Sequence, residues 1–221
     1  MSNSLRNESA VRRVARDPVS RRRFLALTGG TTAAGALLAA CGEDEENESA
    51  ATTTTTDEEM ASQFGEGDLG IVNYALTLEY LEAAFYDDVA RSGLFKGDDL
   101  ALIKAIGQAE QEHVDALTAT AKQLGGEPAA EPKAEFPLEN AKSVLELAAT
   151  VENLGAAAYL GQAAAIEDPE ILAAALSIHS VEGRHAAVLN TLVGMAPTPD
   201  GAFAQPADMQ TVLEEVQPFI A

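Results

Sequence analysis

Four stretches of this chain carry apolar residues in alternating steps of three and four, and each line has a glutamate near its middle. Such steps follow one face of an α-helix, and a carboxylate on a face that must be buried restricts the fold more than any other feature. The lines are Val72, Leu76, Glu79, Ala83, Tyr86, Ala90, then Ile103, Ile106, Glu110, His113, Leu117, Thr120, Leu124. They recur as Leu145, Ala148, Glu152, Ala156, Tyr159, Ala163, and finally Ile171, Ala175, Ile178, Glu182, His185, Leu189, Leu192. Thr120 is the one lapse, small enough for a core edge. An unpaired carboxylate is costly in a core, so four of them at one level require a compensating partner. A shared metal centre would serve.

Turn residues divide the chain accordingly. Helix 1 is expected over about Asp68 to Ser92, ended by Gly93, and helix 2 from an Asp98 N-cap to Gly125-Gly126. Pro128, Pro132 and Pro137 forbid a helix in the next segment. Helix 3 is expected from about Asn140 to Ile166, and helix 4 from Pro169 to about Leu192. A more weakly amphipathic segment, Ala207 to about Val216, is expected on the outside. Each main helix is about 25 residues, or about 37 Å. Short, long and short connections make 1/2 and 3/4 antiparallel neighbours, with a crossover along the bundle between helices 2 and 3. The fold class is therefore all-α: a four-helix bundle over residues 67–195 and a tail, 196–221, with a short helix. Leu and Ala dominate the 47% apolar content, only 5% is aromatic, and there is no Trp, which favours helix over sheet. Gly65-Glu66-Gly67-Asp68-Leu69-Gly70 has dinucleotide-loop spacing, but no strand precedes it and its acids would repel a pyrophosphate.

The formal charge of -21 argues against nucleic acid and against charge-driven adsorption to an anionic membrane. Seven Arg lie within residues 1–40 against Glu8 and Asp17, so the remainder is more acidic still. Residues 42–66, acidic and Thr-rich with five consecutive Thr at 52–56, are expected to be a flexible tether. Before them comes Ser20-Arg21-Arg22-Arg23-Phe24-Leu25, then an apolar stretch too short and too rich in Gly and Thr to be a good membrane span. Arg21, Arg22, Phe24 and Leu25 resemble a twin-arginine export signal, with Ala26 where the usual pattern ends in Lys. Leu38-Ala39-Ala40-Cys41 resembles a bacterial lipobox and contains the only cysteine of the chain. The resemblance implies a signal peptide over 1–41, use of the twin-arginine export machinery, and acylation of Cys41. It also implies anchoring to the outer face of the cytoplasmic membrane or elsewhere in the envelope. A retained N-terminal helix would give the same attachment. A single cysteine rules out an intramolecular disulfide framework.

The four lines also repeat. Glu79 is followed by Tyr86 and Glu152 by Tyr159, seven residues on along the same face, while Glu110-x-x-His113 and Glu182-x-x-His185 lie 72 residues apart. Two hairpins thus carry Glu…Tyr and then Glu-x-x-His, twice. This constellation resembles the ferritin-like superfamily, in particular exported ferritin-like domain proteins related to bacterioferritin and rubrerythrin. The resemblance implies a bundle holding two Fe or two Mn ions, with Glu79, Glu110, His113, Glu152, Glu182 and His185 as ligands. Tyr86 and Tyr159 match tyrosines that hydrogen-bond the ligand carboxylates. Mixed oxygen and nitrogen donors suit Fe or Mn, and four carboxylates against two divalent ions leave the site near neutral.

Glu82, on a line with Leu78, Phe85 and Val89, is the alternative ligand from helix 1. Its spacing to Tyr86 does not recur on helix 3, so Glu79 is preferred. His179, one turn before Glu182, is expected behind the ligands or at the core edge, and Glu112 and Asp115 in solvent. The function expected is reaction of a di-metal centre with dioxygen or peroxide, in a ferroxidase-, peroxidase- or catalase-like manner. The other reading is a bundle that binds metal passively, or not at all, as an envelope stress module. A homodimer is compatible with either.

Overall fold

The computed structural model describes residues 63–221. The export motif at Arg21, Arg22, Phe24 and Leu25, the lipobox Cys41 and nearly all of the expected tether lie outside the described residues. Among the described residues there are five α-helices, α1 Gly67–Arg91, α2 Gly97–Gln123, α3 Ala141–Gln162, α4 Pro169–Leu192 and α5 Met209–Val216, the last running into a 3-10 turn, Gln217–Phe219. Among the described residues the only β-pairing is an isolated bridge between Ala134 and Ile220. None of these helices is long and apolar enough to cross a membrane.

The helix boundaries follow local chemistry. Asn140 caps α3 by accepting from the Lys142 and Ser143 amides, and Asp168 caps α4 by accepting from Glu170, with Pro169 in the first turn. Asp98 is not a cap; it stands in the first turn of α2, where its charge favours the helix dipole. Helix α3 ends at Gln162, earlier than expected. Nothing in Ala163-Ala164-Ala165 stops a helix, but the chain must turn there into the antiparallel α4. The Gly-rich entry to α1 has a steric purpose. Gly65 takes φ 113°, and a Cβ on Gly70 would lie 2.3 Å from the Gly65 carbonyl oxygen, so the chain can fold tightly back on itself there.

The pairings are α1 with α2 and α3 with α4, as short connections require. The Asp68 carboxylate at the start of α1 accepts from the Glu167 and Asp168 amides, both at 2.8 Å, so α1 and α4 begin at the same end. Helix α2 returns to that end: Asn73 of α1 donates to the Glu127 carbonyl and accepts from the Ala129 amide. Residues 124–140 must then travel the length of the bundle to reach the start of α3. That crossover is pinned by the C-terminus. The Glu135 amide donates to Phe219, the Ala221 amide to Lys133, and Phe136 stacks edge-on to Phe85 of α1. Helix α5 closes the outer face, where Val212 and Val216 are buried against Tyr74, Leu78, Leu81 and Ala158.

Two apolar clusters fill the bundle interior on either side of a polar layer. One is built around Phe85, Val89, Ile103, Ile106, Val144 and Leu189, the other around Val72, Leu76, Val114, Leu117 and Ile178. Between them lie the glutamates.

A candidate metal centre

Glu79, Glu110, Glu152 and Glu182 are each 0% exposed. Each sits at mid-helix on the apolar seam, so the spacing that buries Leu76 or Ile106 carries a carboxylate into the same interior. One turn past Glu110 and Glu182, His113 and His185 lean back onto the cluster from half-buried positions. His113 Nδ1 lies 2.9 Å from Glu110 and 3.2 Å from both Glu79 and Glu182. His185 Nδ1 lies 2.9 Å from Glu110 and 3.3 Å from Glu152.

The tyrosines cross between the hairpins. Tyr86 of α1 donates to Glu152 of α3 at 2.5 Å, and Tyr159 of α3 donates to Glu79 of α1 at 2.6 Å. Each phenol thus orients the carboxylate of the other hairpin, and the two bonds follow the same pseudo-twofold as the sequence repeat. A stiff ring with a buried hydroxyl is well suited to hold a carboxylate in one rotamer. Burial, followed by the neighbouring carboxylates, pushes both phenols far above their usual range, so each stays a donor.

These contacts do not satisfy the cluster. Glu110 Oε1, Glu152 Oε2 and both oxygens of Glu182 are buried without a hydrogen bond, and so is His185 Nδ1. The approach of His185 to Glu110 is close yet not aligned for proton sharing. Orphaned buried acceptors at one point signify a missing positive partner. The donor atoms fall into two sets, Glu79, Glu110, His113, Glu182 and Glu110, Glu152, Glu182, His185, each set lying within 4.8 Å. The sets share Glu110 and Glu182. Carboxylate oxygens with one imidazole in each set are a donor combination that could hold a metal ion.

The electrostatics lead to the same conclusion. Burial, opposed by bonds from His113 and Tyr159, leaves Glu79 pushed up to about 7. Burial likewise raises Glu152, and raises Glu182 well above the carboxylate range. Burial would raise Glu110 too, but the hydrogen bond from His113 and the nearby charge of both histidines hold it down at about 2. Against a burial penalty, the surrounding carboxylates raise His113 to about 12 and His185 to about 10. The raised groups all favour their protonated forms, which offsets the negative charge buried in the cluster.

Glu79 and Glu82 prove not to be exclusive alternatives. Glu79 joins the converging donors, while Glu82 is only 4% exposed and lies beside them, raised well above its usual range by burial and by Glu182 and Glu79. Its apolar neighbours Leu78, Phe85 and Val89, all buried, were the signal. The space it fills is left by Gly155, its counterpart three residues after Glu152: a Cβ there would lie 2.8 Å from Glu82 Oε1.

His179 stays outside the cluster, its Nδ1 donating to the Ala156 carbonyl at 3.0 Å. Glu112 and Asp115 are exposed, bonded to Gln108 and Gln111. Spacing gave no sign of one further pair. Asn153 and Asn190, next to Glu152 and one turn past the His185-Ala186 step, exchange two amide hydrogen bonds and lock α3 against α4.

Comparison with known proteins places these observations in one family. The model of the ferritin-like domain matches residues 67–195, more than half of the chain. No curated protein matches it.

Proposed function

The chain belongs to the ferritin-like domain family, and from that premise we propose that the buried cluster holds two Fe or two Mn ions and reacts with dioxygen or peroxide. The observation that carries this reading is the pair of donor sets sharing Glu110 and Glu182, with their buried acceptors left orphaned. One ion would be held by Glu79 and His113, the other by Glu152 and His185, with Glu110 and Glu182 reaching both. When bound, the pair supplies electrons to an oxidant in a ferroxidase-, peroxidase- or catalase-like reaction.

The chain's own residues prepare that chemistry. Tyr86 and Tyr159 hold the outer carboxylates in place by donating to one oxygen of each, while the other oxygen faces a histidine, His185 for Glu152 and His113 for Glu79. Glu182, with neither oxygen hydrogen-bonded, is the carboxylate of the cluster least restrained by hydrogen bonds and would be available to ligate. The apolar clusters on both sides keep bulk water away and keep the metal–carboxylate attraction strong. Glu82 stands where it can retain a proton beside the centre.

At the N-terminus, Arg21, Arg22, Phe24 and Leu25 support export through the twin-arginine machinery, and Cys41 supports a lipid anchor on the outer side of the cytoplasmic membrane. The acidic, Thr-rich stretch after Cys41 would serve as a tether between the anchor and the bundle, and a homodimer is compatible with that arrangement.

The test is metal analysis of protein purified without chelators, followed by stopped-flow mixing with dioxygen and with peroxide. Two metal ions per chain, lost in Glu110→Ala and His113→Ala, are expected. Substoichiometric metal indifferent to both substitutions refutes the centre. Two bound ions with no turnover would leave a passive metal-binding bundle.

A further inference from the structure

Five glutamates, not four, enter the polar layer. Glu82 is 4% exposed, and its neighbours on α1, Leu78, Phe85 and Val89, are buried and apolar. The contacts from Tyr86, Tyr159, His113 and His185 all go to the other four carboxylates. A buried carboxylate without a donor is costly, and an apolar side chain in its place would avoid that cost. The position therefore calls for a partner that the described side chains do not supply.

The pseudo-twofold shows where Glu82 stands. Helices α1 and α3 run antiparallel, and the crossed bonds of Tyr86 to Glu152 and Tyr159 to Glu79 put Glu79 and Glu152 toward opposite ends of the layer. Glu82 comes three residues after Glu79 and Gly155 three after Glu152, so these two positions converge on the middle. They meet there. A methyl group built on Gly155 would lie 2.8 Å from Glu82 Oε1 and 3.5 Å from Glu182 Oε2. The Glu82 carboxylate thus occupies the space of a side chain at 155, beside the Glu182 that both donor sets share. The backbone does not require glycine at 155, which is mid-helix and outside the left-handed region, and alanine would favour the helix. Glu182 Oε2 is itself buried without a bond. Two neighbouring carboxylates repel unless a cation joins them or one holds a proton.

We propose that Glu82 is a fifth carboxylate ligand of the metal pair, acting beside Glu182, and that position 155 is glycine to leave it room. The assignment rests on the reading of the cluster as a metal pair, and adds to it a donor that breaks the twofold symmetry of the other six. Ligation requires Glu82 ionised, so the ions and the proton it retains without them compete for the same carboxylate.

The test titrates cobalt(II) into the metal-free full chain and follows its visible absorption, which reports coordination number. Wild type is expected to take up two ions per chain. Glu82→Gln, which keeps the shape and loses the charge, should bind them at least about tenfold more weakly and with an altered cobalt spectrum. Gly155→Ala should weaken binding in wild type, because its methyl displaces the Glu82 carboxylate. In Glu82→Ala the same methyl finds the space empty and should cost nothing further. Wild-type affinity and spectrum in Glu82→Gln would overturn the assignment, and so would losses from Glu82→Ala and Gly155→Ala that simply add. A wild type that takes up no cobalt overturns the reading of the metal centre itself, and the part of Glu82 with it.

Discussion

Stripping the metal should reverse the sign of the protein's pH dependence. The perturbation is a rise from pH 5 to 7.5 in chelator-treated and in metal-loaded protein. In the stripped form Glu79 is raised to about 7 from an ordinary carboxylate value of 4.5. A raised group contributes stability that is complete below its unfolded pKa and is lost as pH climbs through the folded one. The difference of about 2.5 units corresponds to roughly 3 kcal/mol. Glu82, Glu152 and Glu182 are raised as well and act in the same direction. His113 and His185, raised to about 12 and 10, extend the loss into the alkaline range beyond pH 6.5. Glu110, held at about 2, has the opposite sign, but its contribution is lost only on acidification below about 4.5. At about 2–4 °C per kcal/mol for a domain of this size, Glu79 alone should lower the Tm of the stripped protein by roughly 6–12 °C across the window. Loaded protein should instead gain stability, because coordinating carboxylates must be ionised and protons compete with the metal. Calorimetric scans of both forms at several pH values decide the matter. A stripped protein whose Tm is flat or rises from pH 5 to 7.5 would refute the buried-cluster electrostatics. A loaded protein that tracks the stripped one would refute metal coordination by these glutamates.

Removing the Tyr86 or Tyr159 hydroxyl as Phe leaves a buried carboxylate oxygen of Glu152 or Glu79 without its donor. Each substitution should cost about 1–3 kcal/mol in urea unfolding of the stripped protein. Each should also weaken metal binding by about 10–100-fold in isothermal titration, and unchanged affinity in both would remove the phenols from ligand positioning. For the anchor, fractionation of cells expressing Cys41→Ala should find the bundle in the soluble envelope fraction, and retention in membranes would discount the lipobox.

Much of this molecule is legible without coordinates because an α-helix repeats. Once steps of three and four place Leu76, Glu79 and Tyr86 on one face, the burial of Leu76 entails that of Glu79, and the same holds for Ile106 and Glu110. Duplication of the hairpin then relates four helices through their polar positions. Those are local rules, and they reach as far as a single helix face. They do not say which face meets which.

Tertiary packing alone decided that Tyr86 bonds Glu152 rather than Glu79, and Tyr159 Glu79 rather than Glu152: seven residues along a helix put each phenol two turns from its own carboxylate, within reach of the opposite hairpin. Packing also made Glu79 and Glu82 companions instead of rivals, because Gly155 on the facing helix leaves room that no count along α1 could reveal. The clasp of Phe219 and Ala221 on the crossover is of the same kind, since backbone hydrogen bonds between distant segments carry almost no mark in residue type. Sequence determined which chemical groups enter the core and at what level. Only the three-dimensional structure decided their partners, because partner choice depends on inter-helix geometry and on the side chains that are absent as much as on those present.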